Sequence, residues 1–129
     1  MLKKSILNFV ILFVLLGCGS ENTSNLETQI LPLKANAGTD QTVNEQTEVN
    51  LSAYDSSGDV ENYSWEQISG ADVILIGANS ASTSFTSISL AEKSGKETLQ
   101  FQLTVTDKNG ETSTDVVNVS ILPVLTINE

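Results

Sequence analysis

Polar and apolar residues alternate with a period of two in two stretches of the second half of the chain. In residues 98–106, apolar side chains at every second position are separated by Gln or Thr. In residues 117–121, valine and isoleucine are separated by Asn118 and Ser120. Because successive side chains of a β-strand point to opposite faces, this alternation is typical of a strand with one buried face. The pattern predicts two long strands within residues 98–122.

The segment between these strands predicts a tight turn. Asn109 and Gly110 together are a strong hairpin signal. In a two-residue loop, Phe101 would lie opposite Asn118, and a polar amide would lie on the core side. A slip of one residue turns every side chain of a strand to the other face, so this register is disfavoured.

A three-residue loop, residues 108–110, makes both core faces apolar. Its glycine then adopts the left-handed conformation that a bulged turn requires. Phe101 pairs with Val117 on the core side, and further along Leu99 pairs with Val119. We therefore expect a bulged three-residue turn.

The same register turns Asp115 toward the core side, beside Leu103. An unpaired carboxylate there would be costly. We therefore expect Asp115 to accept a hydrogen bond or to lie at an open end of the fold.

Shorter extended segments precede the hairpin. Residues 48–53 alternate, residues 55–59 are turn formers, and Phe85 is expected to point inward. Residues 73–76 are a continuous apolar run, which suits a strand covered on both sides; an edge strand is the alternative. Residues 88–96 are expected to form a loop.

Trp65, the only tryptophan, lies with Tyr63 on a further alternating segment. In the middle of an all-β domain it is expected to be the central core residue rather than a ligand platform. The predicted core consists of Trp65, Phe101, Leu103, Val117 and Val119.

No segment has convincing helical periodicity. Six or seven short strands separated by turns within residues 35–122 predict one all-β domain, a β-sandwich of about seven strands. Residues 123–129 are expected to be a C-terminal tail.

The first residues predict export and lipid attachment. Residues 1–17 contain two lysines followed by an apolar run too short to span a membrane, as in a signal peptide. Residues 15–18, Leu-Leu-Gly-Cys, resemble a bacterial lipobox, which implies that Cys18 carries a diacylglyceryl thioether and an N-acyl chain. Residues 18–34 are expected to be the lipidated cysteine and a polar tether; an edge strand at residues 30–33 is disfavoured by Pro32.

The only cysteine is Cys18, so an internal disulfide is excluded; the alternative is a free thiol. Gly19 and Ser20 follow the cysteine, with no aspartate at the second position of the mature chain. In a two-membrane organism the lipoprotein resemblance then implies the outer membrane. We expect a cell-envelope address, at the outer membrane or cell surface rather than the inner membrane.

Charge narrows the possible partners. The formal net charge is −10, and removal of residues 1–17 leaves four lysines against sixteen acids, a net charge of −12. The chain has no arginine and no histidine, so electrostatic attraction to nucleic acid is excluded as a driving force.

The residue inventory also argues against catalysis. Without histidine, and with its cysteine assigned to lipid, the chain offers no Ser-His pair or phosphate loop. A pair of carboxylates could hydrolyse a sugar only in a cleft, and a domain of this size uses its interior for packing. We expect no enzyme activity and no cofactor.

Three stretches resemble PKD-type immunoglobulin-like domains. They are residues 35–43 (Ala-Asn-Ala-Gly-Thr-Asp-Gln-Thr-Val), residues 63–70 with the pattern Tyr-Ser-Trp-x-Gln-x-Ser-Gly, and residues 101–107 (Phe-Gln-Leu-Thr-Val-Thr-Asp). The resemblance covers residues 35–122 and implies a two-sheet sandwich with Trp65 at its centre. The family's Trp-Asp-Phe-Gly-Asp-Gly run is replaced at residues 65–70 by Trp-Glu-Gln-Ile-Ser-Gly, which places the chain in a divergent subgroup.

Some domains of this kind bind calcium, which prefers several oxygen ligands. The candidates here are Asp40, Asp107 and Asp115, with Asn36 a weaker one. No Asp-x-Asp-x-Asp-Gly spacing is present, and solvated surface acids are the alternative.

The resemblance implies protein or carbohydrate contacts, or a spacer. We therefore expect a monomeric, non-catalytic lipoprotein that is held at a bacterial membrane by acyl chains such as palmitate and serves adhesion, binding or spacing. The alternatives are a carbohydrate-binding module, which requires exposed aromatics although Tyr54 and Tyr63 are the only tyrosines, and a periplasm-facing subunit of an envelope complex. The partner is expected to be a protein or a glycan.

Overall fold

Two β-sheets make up the domain. The structure, a computed structural model, describes residues 29–91 and 95–127, so the predicted signal peptide and the predicted lipidation site, Cys18, lie outside the described residues. The strands are β1 (Gln41–Asn44), β2 (Glu48–Ser52), β3 (Val60–Ser69), β4 (Ser82–Thr86), β5 (Glu97–Asp107) and β6 (Thr112–Leu122). The described residues contain no apolar helix of membrane-spanning length. The prediction of an all-β fold is confirmed.

The larger sheet has the strand order β1-β6-β5-β3, and the smaller sheet pairs β2 with β4. β1 runs parallel to β6, whereas the other pairs are antiparallel. The inner faces of the two sheets enclose one core. Contact across it is visible in Phe85 of β4 and Phe101 of β5, whose ring centroids lie 4.8 Å apart, within the range of favourable aromatic pairs.

The hairpin of β5 and β6 has the predicted register. Phe101 pairs with Val117 and Leu99 pairs with Val119. Gly110 has φ of +82°, and its N–H donates to the carbonyl of Asp107 at 3.1 Å. The bulged three-residue turn is therefore confirmed.

All five residues of the predicted core are buried. Trp65 is 4% exposed, and its ring Nε1–H donates to the carbonyl of Ser80 at 3.1 Å. The four others are inaccessible: Phe101, Leu103, Val117 and Val119. The indole thus fills the core while its polar atom is satisfied, which is how buried tryptophan is normally accommodated.

The described residues form six strands instead of about seven. Residues 73–76 pair with β4 only at Ile76 and Ser84. Val73 and Leu75 pack against the core, whereas Ile74 is 85% exposed and Ile76 69% exposed. The prediction of a strand covered on both sides is wrong, because no further layer lies over the outer side of the small sheet in the described residues. The edge position, which was the alternative, is observed.

The last residues of the predicted tether contact the domain. Leu33 packs against the core, and Lys34 forms a main-chain bridge with Ser57. Gly58 lies so close that an added Cβ would be 2.7 Å from the Cα of Leu33. The chain is therefore fastened to the sandwich just before residue 35.

Candidate functional site

Side chains of β6 hold the segment before β1. The main-chain N–H of Ala35 donates to Oγ of Ser113 at 2.9 Å, and that of Ala37 donates to Oδ2 of Asp115 at 2.8 Å. Both alanines are buried, so these N–H groups need protein acceptors. Asp115 therefore has the hydrogen-bond partner that its inward position predicted.

Asp40 extends this attachment. Its two carboxylate oxygens accept hydrogen bonds from the main-chain N–H of Asn118 at 2.9 Å and from the side-chain Nδ2 at 3.0 Å. Both bonds lower the pKa of Asp40 from its ordinary value of 3.8, and the bond from the main-chain N–H has the larger effect. Because both donors lie on β6, Asp40 fixes the start of β1 beside it.

Asp107 organises the hairpin turn. Its Oδ1 accepts hydrogen bonds from the main-chain N–H groups of Asn109 at 2.8 Å and Glu111 at 2.9 Å. A carboxylate that accepts bonds from nearby N–H groups in this way stabilises a turn. The side chain thus serves the β5–β6 connection.

The three aspartates predicted as calcium candidates are not brought together. Each accepts main-chain hydrogen bonds at a different place in the fold, and Oδ1 of Asn36 accepts from the N–H of Gly38 at 2.9 Å. Across residues 29–91 and 95–127, no three acidic side chains are placed to share a metal ion.

Glu45 is a structural residue that the sequence did not reveal. Oε1 accepts the N–H of Val124 at 2.8 Å, and Oε2 accepts the N–H of Leu90 at 2.6 Å. Both bonds lower the pKa of Glu45 from its ordinary value of 4.5, and the bond from Val124 has the larger effect. One carboxylate therefore joins the C-terminal tail to the loop after β4. Nothing in the local pattern signals this, since its partners lie 45 and 79 residues away.

Residues 72–77 form an exposed apolar border of the small sheet, which we call the isoleucine edge. The N–H and carbonyl of Ile76 both bond to Ser84, at 2.8 and 3.0 Å. A groove of about 450 Å³ runs along this edge. Its lining is Asp72, Val73, Ile74, Ile76, Thr86 and Ile88. Sequence periodicity could not identify this surface, because a continuous apolar run does not show which side chains point outward.

The side-chain amide of Gln67 sets the bend that leads into the isoleucine edge. Its Nε2 donates to the carbonyls of Ser69 at 3.2 Å and Ala71 at 2.7 Å. Its Oε1 accepts the N–H of Val73 at 3.0 Å. Three hydrogen bonds from one side chain thus fix where the edge begins.

A second groove is polar. It has a volume of about 390 Å³ and lies between the segment before β1 and strand β2. Its lining is Asn36, Ala37, Gly38, Thr39, Gln41, Asn50, Ser52 and Asp55. Tyr54, between two of these lining residues in the chain, is 73% exposed. Tyr63 packs against the core instead, so the two tyrosines have different environments.

The outer face of the large sheet is mainly polar and has few charges. Two rows across its strands are Glu66–Gln102–Val116 and Ser64–Thr104–Thr114. Val116, 40% exposed, is the aliphatic member of these rows. Its position on the opposite sheet makes it a useful control for the isoleucine edge.

Comparison with solved structures places the fold among known domains. The solution structure of the PKD domain from the KIAA 1837 protein is 28% identical, with a TM-score of 0.62, and the match covers 77% of this chain and 95% of that one. The D00-D0 domain of intimin is 14% identical, with a TM-score of 0.55, and 74% of this chain matches 50% of that one. These likenesses show a PKD-type, immunoglobulin-like sandwich.

An enzyme also contains a domain of this shape. The 2,6-sialyltransferase of Photobacterium sp. JT-ISH-224 is 21% identical, with a TM-score of 0.53; 67% of this chain matches 18% of that protein. At this identity the likeness shows the fold alone.

The family comparison agrees with the structural one. A search of curated proteins finds no match. The family model described as "K319L-like, PKD domain" matches residues 37–121, which include all six strands except the last residue of β6. The chain therefore belongs to the K319L-like PKD domain family.

Proposed function

We propose that the protein is a non-catalytic, lipid-anchored protein of the bacterial cell envelope whose PKD domain contacts other proteins. The observation that carries this proposal is the isoleucine edge. Ile74 and Ile76 are among the most exposed large apolar residues of the sandwich, and they line one groove. Contiguous exposed apolar surface is a mark of interaction sites.

The roles of the acidic side chains support a non-catalytic domain. Asp40, Glu45, Asp107 and Asp115 accept main-chain hydrogen bonds that attach one segment to another. These carboxylates therefore serve the fold.

Attachment to a membrane is supported by the sequence before the domain. Residues 15–18 have the lipobox pattern, and more than one acyl chain on Cys18 would give stable anchoring. The chain joins the sandwich at Pro32, whose carbonyl accepts the hydroxyl of Ser57 at 3.2 Å, and at Leu33 and Lys34. In this proposal the residues between Cys18 and Pro32 are the tether between lipid and domain.

Mass spectrometry of Cys18, combined with protease treatment of intact cells, tests this function. We expect the Cys18 peptide to carry acyl chains and the domain to be released from whole cells, while a Cys18→Ser variant leaves the membrane fraction. An unmodified Cys18 would overturn the anchor. Acylation with the domain protected until the envelope is broken would instead favour a periplasm-facing subunit.

Carbohydrate binding is a second candidate, and the exposure of Tyr54 favours it. An exposed aromatic ring can stack on a sugar, and the amide groups of the nearby polar groove could bond to hydroxyls. In affinity electrophoresis with cell-wall polysaccharides, Tyr54→Ala should abolish retardation, whereas Val116→Ala should not. This candidate would be contradicted if the unsubstituted protein and both variants were retarded equally, or if the unsubstituted protein were not retarded at all.

A further inference from the structure

We propose that Asn109, in the turn between β5 and β6, is a site of spontaneous deamidation that Asp107 keeps unreactive while the domain is folded. The reagent is water, and the product is aspartate or isoaspartate in the turn that sets the register of the hairpin. This inference is independent of the contact function and of the lipid anchor.

Asn109 is followed by Gly110, and an asparagine before glycine is prone to deamidation. The main-chain nitrogen of Gly110 attacks Cγ of Asn109, the bond from Cγ to Nδ2 breaks, and the side-chain nitrogen leaves as ammonia with the proton of the attacking group. The cyclic succinimide then adds water and opens to aspartate or isoaspartate. Glycine favours the ring closure because it has no Cβ to obstruct a close approach.

The turn is open to water. Asn109 and Gly110 are both exposed, and an added Cβ at Gly110 would meet no atom within 4 Å. Burial therefore does not protect the reacting groups. Their protection depends on the hydrogen bonds that hold them.

Asp107 engages both nitrogen atoms that the reaction uses. Its main-chain carbonyl accepts the N–H of Gly110, the attacking group, at 3.1 Å. Its Oδ2 accepts a longer bond from Nδ2 of Asn109, the leaving group, at 3.4 Å. Ring closure requires the peptide group between Asn109 and Gly110 to turn toward the asparagine side chain. That rotation breaks the bond from Gly110.

The other carboxylate oxygen of Asp107 fixes the main chain on both sides of the reacting bond. Oδ1 accepts the N–H of Asn109 at 2.8 Å and that of Glu111 at 2.9 Å. Asp107 is only 9% exposed, and its own N–H donates to the carbonyl of Glu111 at 3.0 Å. Hydrogen bonds to an ionised acceptor are stronger than neutral ones. The rotation needed for ring closure therefore has to disturb several bonds made by one residue.

The product of deamidation does not fit this turn. Aspartate at position 109 adds a negative charge beside the carboxylate of Asp107, and like charges repel. Isoaspartate adds a methylene group to the main chain of the three-residue loop, whose length pairs Phe101 with Val117. The reaction therefore proceeds in molecules whose hairpin has opened, and the modified turn closes less well than the original one.

The test compares the rate of deamidation in the folded full chain, in the same chain unfolded by guanidinium, and in a capped peptide of residues 105–113. Mass spectrometry measures the conversion of Asn109, and chromatography separates isoaspartate from aspartate. We expect the folded chain to react at least about tenfold more slowly than the peptide, because it has to break bonds to a charged group first. The unfolded chain should react at the rate of the peptide.

Two matched substitutions identify the protecting residue. Asp107→Ala should raise the rate in the folded chain by at least about threefold, because the bonds to its carboxylate are lost. Asp72→Ala, which removes an exposed aspartate outside the turn, should leave the rate unchanged. Circular dichroism checks that each variant is folded. Where Asp107→Ala does not fold, Asp107→Asn takes its place, since it retains an acceptor at Oδ1 and loses the one at Oδ2.

Equal rates in the folded chain and the peptide would overturn the proposal, because the fold would then give Asn109 no protection. An unchanged rate in the folded variant at position 107 would also overturn it. So would an equal rise in Asp72→Ala, since the effect would then not come from the turn.

Discussion

Single carboxylates connect distant parts of this small fold. Asp115 is on β6, yet its Oδ2 accepts the N–H of Ala37, 78 residues earlier. Glu45 follows β1 and accepts the N–H of Val124 near the end of the described chain. These bonds attach segments that the hydrogen bonds between strands do not reach. We therefore expect their loss to lower the stability of the fold beyond the immediate surroundings of the substituted residue.

We predict that Asp115→Ala lowers the free energy of unfolding by about 1–3 kcal/mol, because it leaves the buried N–H of Ala37 without an acceptor. Urea denaturation followed by circular dichroism measures this change. Asp72→Ala, a substitution of an exposed aspartate, is the control and should change stability by less than about 0.5 kcal/mol. Equal effects of the two substitutions would show that the bond to Ala37 does not stabilise the fold.

The pH dependence of stability has a predicted sign. The bonds from Val124 and Leu90 hold the pKa of Glu45 below its ordinary 4.5, and the bonds from Asn118 hold that of Asp40 below 3.8. A lowered pKa in the folded state means that the ionised form stabilises the fold. This contribution is complete above the ordinary values and is lost as the pH falls through the lowered ones.

We therefore expect the free energy of unfolding to decrease as the medium is acidified below pH 4.5, the ordinary value for Glu45. Denaturation at a series of pH values measures the slope. The double variant Glu45→Gln and Asp40→Asn should have a shallower slope, because its two amides do not titrate. An unchanged slope would mean that other groups govern acid unfolding.

The elements differ in how far the sequence could predict them. The β5–β6 hairpin was predictable to the register because Phe101 and Val117 match only when three residues form the turn. The position of residues 73–76 could not be predicted in this way. Four consecutive apolar side chains do not show which of them point inward, so they fit a covered strand and an edge strand equally. The bend made by Gln67 also escaped prediction, because its amide acts through the folded positions of Ser69 and Ala71.

Two turn glycines provide a test of element geometry. Gly110 and Gly70 both have positive φ, +82° and +92°. An added Cβ at Gly110 would meet no atom within 4 Å, whereas at Gly70 it would lie 2.6 Å from Cδ2 of Leu99. Gly110→Ala therefore costs only the free energy of placing alanine at a positive φ. Gly70→Ala has the same cost and also forces β5 to move.

We predict a loss of about 1–2 kcal/mol for Gly110→Ala and about 2–5 kcal/mol for Gly70→Ala. Thermal and urea unfolding of the two variants measure the difference. A loss at Gly110 equal to that at Gly70 would contradict the contact between the β3 turn and Leu99.

At the scale of the whole molecule, the chain enters and leaves the sandwich at opposite ends of β6. Ser113 and Asp115, near the start of β6, hold the entering segment. At its other end, the carbonyl of Leu122 accepts the N–H of Glu45 at 2.9 Å. The eleven residues of β6 span about 33 Å, at a rise of about 3.3 Å from one residue to the next. Such an arrangement suits a domain held away from a membrane with its sides free for contact.

The most direct measurement is site-specific photo-cross-linking in living cells, with a cross-linking amino acid in place of Ile74 or, as the matched control, Val116. We predict adducts from position 74 and not from position 116, joined to another protein and lost when Cys18→Ser releases the domain from the membrane. Adducts of equal yield at both positions, or none at position 74, would contradict a lipid-anchored contact protein that uses the isoleucine edge.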